Sequence, residues 1–159
     1  MRRIEELRIT SKRNIQIADH MIYMTYNVVK DPKILLSIMD NIFLGFSKAM
    51  NAVLQAEYIY KKIPSIPKGF EAKSMLFRDI ALKYDINDEY LKAMREIKET
   101  IIDHKTSPVE FRRKDKFVIC SGDYKMRTID IDIIKKYIKL AKEFISKTDS
   151  IIIKNVGIH

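Results

Sequence analysis

From Leu7 onward, Ser11, Ile15, Ala18, Ile22, Tyr26 and Val29 recur at steps of three and four. Only a helix brings such positions onto one face, so the spacing predicts one long helix from about Ile4 to Val29. Long elements need few turns, and the 159 residues include only four Gly and four Pro. That scarcity favours a few long helices over a many-stranded sheet. The length suits a single domain over residues 1–159, with a core that needs no metal or disulfide to hold it.

Lys30-Asp31-Pro32 ends the first helix. Pro32 disfavours helix at Asp31, whose carboxylate can cap the next helix with Pro32 in its first turn. That second helix is expected from Pro32 to about Lys62. Its apolar residues, among them Leu35, Ile38, Met39, Ile42, Phe46, Met50 and Val53, cover more than one face. Such breadth predicts a central helix, packed on two sides or at a subunit interface. Gly45 and Ala49, one turn apart, would let a neighbour approach closely.

Two prolines and a glycine make residues 63–69 an extended connection between parts of one core. A shorter helix is expected from Glu71 to Tyr84 and another from Asp88 to His104. Lys116–Cys120 and Lys125–Ile129 read as two strands joined across Ser121–Tyr124. A lone hairpin is unstable, so this one must lie on the helices. The last helix is expected from Asp130 to about Lys147, with 151–156 either a short strand or a continuation. The expected fold class is therefore all-α: an antiparallel bundle of four or five helices with a small β-hairpin before the last helix.

Lys and Arg number 30 against 21 acids, a net charge of +9. A field of that sign draws in RNA or other polyanions, although cations interleaved with acids also make an ordinary solvated surface. The segment Met1–Arg8 has no apolar run behind it and does not read as a signal peptide. No window approaches the length of a membrane span. Cys120 is the one cysteine, which leaves no internal disulfide and no multi-cysteine zinc site. A cytoplasmic protein without membrane contact is expected. Phosphate loops, nucleophile elbows and His-Glu-x-x-His are missing, and no histidine has a Glu three positions before it. No metal or cofactor is expected.

Residues 105–127 carry seven cations against three acids, with Phe111, Phe117 and Tyr124 among them. Aromatics between cations can stack bases while the cations hold phosphates. The same aromatics could instead anchor the hairpin to the bundle. Arg112, Arg113, Lys114, Lys116, Tyr124, Lys125 and Arg127 are the candidate nucleic-acid contacts. His104 reads as a helix-end residue favoured by the helix dipole. The leading expectation is a homodimeric binding module, paired through the wide apolar second helix. It would hold RNA, another polyanion or a protein partner.

Arg13 and His20 stand two helical turns apart and so share a face. A phosphate between them could be held by the guanidinium while the imidazole moves a proton, chemistry that cleaves RNA without metal. Arg13-Asn14 followed by His20 resembles the Arg-then-His motif of the HEPN superfamily, small helical bundles that often dimerise. Members usually carry that motif late in the bundle, whereas here it lies in the first helix. The resemblance implies a composite site across a dimer interface and a metal-independent endoribonuclease activity. It implies that Arg13 stabilises phosphate, Asn14 orients the site and His20 acts in proton transfer.

Overall fold

The computed structural model describes residues 1–107, 109–113, 116–121 and 125–156. The first predicted helix is one rod in three parts: α1 (Arg2–His20), a π-helical turn (Met21–Thr25) and α2 (Tyr26–Val29). Lys30 ends it in the left-handed region, at φ 54°. The Asp31 carboxylate then accepts the backbone N–H of Lys33 at 3.0 Å, the start signal read from Lys30-Asp31-Pro32. Next come α3 (Ile34–Ile59), α4 (Phe70–Lys83) and α5 (Glu89–Thr106). Three strands follow, β1 (Val109–Arg113), β2 (Lys116–Cys120) and β3 (Met126–Ile129), and then α6 (Ile131–Val156).

Side-chain pairs give the helix directions. Asn14 meets both Asn41 and Lys48, and Met21 meets Asn41, so α1 and α3 run oppositely. Arg8 pairs with Asp149 and Asp19 with Lys142, which sets α6 against α1. Tyr90 bonds Glu143 and Tyr137 bonds Glu96, so α5 also opposes α6. The four long helices thus alternate in direction along the chain, with α4 inserted before α5 and the sheet before α6.

One hydrophobic cluster runs from Ile4 to Ile152. Phe144 is its hub, with the rings of Phe46, Phe77 and Tyr90 at 5.5, 5.5 and 5.6 Å. Helix α3 packs on α1, α4, α5 and α6. Much of its broad apolar surface is thereby buried within the chain, while Leu44, Tyr58 and Ile59 stay exposed. At Gly45 the approach of α1 is so close that a Cβ would overlap the Ile15 side chain and lie 3.3 Å from the Ser11 carbonyl oxygen.

One expectation needs correction. The hairpin is a three-stranded antiparallel sheet in the order β1-β2-β3, because Val109–Arg113 adds an outer strand. Of the two forms expected for 151–156 the structure has the continuation, with the last helix running to Val156. Thr148 Oγ1 donates to the Ile145 carbonyl at 3.0 Å, so its buried hydroxyl is satisfied within the helix. Ile151 and Ile152 then reach the core. Lys114 and Tyr124 lie outside the described residues.

Candidate functional site

A cleft of about 560 Å³ opens where the start of α3, the end of α5 and the sheet meet. Helix α3 supplies Leu36, Ser37 and Asp40, with Lys33 at its N-cap, positions that helical spacing puts on one face. Ile101, His104 and Lys105 come from α5 by the same spacing. The sheet adds Glu110, Phe111, Arg112 and Phe117. In the β1–β2 register Arg112 faces Phe117 and Glu110 faces Ile119. Cross-strand partners share a face, so Glu110 and Arg112 stand on the side of the buried Phe117 and Ile119. Phe111 pairs with Val118 and alternates to the other side.

The floor is apolar, made of Leu36, Ile101 and Phe117, and the walls are charged. His104 Nδ1 lies 2.6 Å from Glu110 Oε2, tying α5 to β1. The His104 ring meets Phe117 edge-on at 6.3 Å. Arg112 reaches Asp31 at 3.5 Å. Burial lifts the Asp40 carboxyl above its ordinary range, while Lys105 and His104 pull it back. Neither Asp40 nor the side chains of Lys33 and Lys105 make a hydrogen bond or ion pair among the described residues. An apolar floor ringed by uncommitted charges of both signs suits a ligand with a flat apolar part, an anionic group and a donor.

The basic residues of the sequence reading separate here. Arg112 lines the cleft, and Arg113 and Lys116 face each other, exposed, at the β1–β2 end. Lys125 is exposed. Arg127 is committed elsewhere: it bonds Asp103 at 2.5 Å and Glu99 at 2.9 Å, docking β3 onto α5. Burial opposes its charge, yet the two carboxylates outweigh that and hold it firmly protonated. Phe117 is an anchor, packed in the core.

Arg13 and His20 are both exposed, with no side-chain partner among the described residues. Ile9, Ile17, Met24 and Val28 lie exposed along the same side of the rod. Asn14 points inward instead. It donates to Asn41 Oδ1 at 3.1 Å and accepts from Lys48 Nζ at 2.8 Å, polar contacts that fix α1 against α3.

The sequence reading did not group Lys33, Asp40, His104, Lys105 and Glu110. One trace of them was visible: Asp40 interrupts the most apolar stretch of the chain. No protein-family model matches the chain, nor does any curated protein or solved structure. Among the described residues no helix is long and apolar enough to cross a membrane.

Proposed function

We propose that this chain is a binding module for RNA or a similar polyanion, with the cleft and the adjoining β1 edge as its contact surface. The observation that supports this most is the placing of Lys33, Lys105 and Arg112 around one opening, with Arg113 and Lys116 exposed beside it. Among the described residues the side chains of Lys33 and Lys105 make no hydrogen bond or ion pair, and only Asp40 lies close enough to Lys105 to offset its charge, so phosphates would meet charge that is not fully neutralised. Edge strand β1 presents Arg112 and Arg113, residues that also discourage pairing with a foreign strand. Anisotropy of a labelled single-stranded RNA should fall steeply with salt. Arg112→Ala with Arg113→Ala should weaken binding and flatten that dependence. Absent or salt-independent binding would rule the reading out.

Self-association belongs to the same proposal. The exposed apolar residues of the rod, Ile9, Ile17, Met24 and Val28, supply a surface for a second copy. Light scattering on a size-exclusion column decides it.

A second reading is the metal-independent endoribonuclease that the HEPN resemblance implies. It is favoured by Arg13 and His20, exposed and unpaired on one side of α1, with a π-helical turn beginning directly after His20. Such turns are frequent at functional sites. RNA cleavage in a chelator that His20→Ala abolishes, with the fold intact, would support it. A wild-type protein that leaves RNA uncut would end it.

A further inference from the structure

We propose that the cleft is a pocket for one unstacked nucleotide whose base bears an exocyclic amine, and that Asp40 is the acceptor recognising that amine. The proposal rests on the polyanion reading and narrows it to unpaired nucleic acid.

The first support is an acid where a phosphate groove should have none. A carboxylate repels phosphate, so a surface built only to hold a backbone gains nothing from Asp40 among Lys33, Lys105 and Arg112. The neighbouring acids are already occupied. Glu110 holds His104 at 2.6 Å, and Asp31 pairs with Arg112 at 3.5 Å. Asp40 alone faces the cleft without a hydrogen-bond partner among the described residues. An ionised carboxylate only accepts, so the group it wants is an N–H donor.

The second support is the division of the cleft. The partly exposed Ile101, with Leu36 and Phe117 buried beneath it, offers an apolar floor on which a base can lie, and phosphates have no use for it. Lys33 and Lys105, neither side chain in a hydrogen bond or ion pair among the described residues, line the same cleft and can meet the phosphate of the same nucleotide. A volume of about 560 Å³ falls within the usual span of small-ligand sites. Cytosine presents an amine to a carboxylate, whereas uracil, of the same size, presents an oxygen there. A base inside a duplex has its partner on that edge and cannot lie on the floor, so the strand must be unpaired.

Short oligo(rC) and oligo(rU), labelled and compared by anisotropy at neutral pH and low salt, test this. Oligo(rC) should bind about 10-fold tighter than oligo(rU). Asp40→Asn should remove most of that preference while leaving oligo(rU) binding as strong or stronger. Ser37→Phe, which fills the cleft from the exposed side of α3, should abolish the preference and keep the salt-sensitive background. With the unmodified protein, CMP should displace oligo(rC) and UMP should not. Equal binding of the two oligomers by the wild type overturns the nucleotide pocket and leaves the polyanion reading standing. A preference that survives Asp40→Asn overturns the role of Asp40. Binding of neither oligomer removes both readings together.

Discussion

The Arg8 guanidinium donates to the Asp149 carboxylate at 3.0 Å, joining the start of α1 to the last turns of α6. Lys12 reaches the same carboxylate at 2.6 Å, and Glu5 meets Arg8 from the other side at 3.0 Å. Burial works against the charge on Arg8, but Asp149 and Glu5 outweigh it and raise its hold on the proton. The two ends of the sequence are therefore clasped by one polar group at the edge of the core.

Removing one side of that clasp should be worse than removing both. Asp149→Ala leaves the buried guanidinium with only the more exposed Glu5 and should lower stability by about 2–4 kcal/mol. Arg8→Met combined with Asp149→Leu should recover most of the loss, since no buried charge is left unpaired. Urea denaturation of the single and double variants measures both.

Gly45→Ala should destabilise the protein although alanine is the better helix former. The propensity gain is about 1 kcal/mol. Against it stands overpacking, at about 1–3 kcal/mol, because the new Cβ overlaps Ile15 and crowds the Ser11 carbonyl. Thermal unfolding should show a lower Tm for Gly45→Ala, and adding Ile15→Val should return part of the difference.

Alkaline unfolding should carry the signature of Tyr90. Burial, then its hydrogen bond to Glu143, pushes the phenol up to about 12. The fold thus favours the protonated phenol. That stability is fully present below the unfolded value near 10, and it is lost as pH rises from there through about 12. Denaturant midpoints should fall across this window. Tyr90→Phe should be less stable at neutral pH and should show a shallower fall.

Arg127→Ala and Arg112→Ala should part company. Arg127 holds β3 to Asp103 and Glu99 on α5, so its loss should lower the Tm and leave RNA affinity within about 2-fold. Arg112→Ala should do the reverse. Melting curves and binding isotherms on the same preparations separate the two roles.

Asp40→Asn should stabilise the fold at neutral pH. Asp40 is exposed, and partial desolvation lifts its carboxyl only in part, so the charged form is slightly the less comfortable one in the native state and the effect is small. A raised carboxyl withdraws stability as pH climbs through its folded value, and asparagine escapes that loss. The gain in Tm at neutral pH should shrink as pH falls toward the carboxylate range.

Much of the helical framework was legible because apolar spacing is local. The steps from Leu7 to Val29 mark the rod, and Asp31 caps the next helix by contacts within a few residues. The end of α6 follows the same rule but leaves strand and helix both open in the sequence. Thr148 continues the stripe of Phe144 and Ile145 toward Ile151 and Ile152, and a buried threonine looks polar in a sequence. Strand β1 left no such mark. Val-Glu-Phe-Arg-Arg alternates over only four residues, its apolar Val109 and Phe111 stay exposed, and its strand form depends on pairing with β2.

The cleft shows the same division more sharply. Residue types alone placed Arg112, Arg113 and Lys116 in a basic segment and Arg13 with His20 on one helix face. They could not tell Arg112, which borders an opening, from Arg127, which is bound to two acids. Nor could they bring Asp40 to His104 or Glu110, since those residues lie on separate elements. What the sequence determined by itself was the set of helices and their inward faces, because periodicity is written within one turn or two. What only the tertiary structure decided was which charges remain free and which face one another, because pairing and burial are properties of neighbours that folding alone supplies.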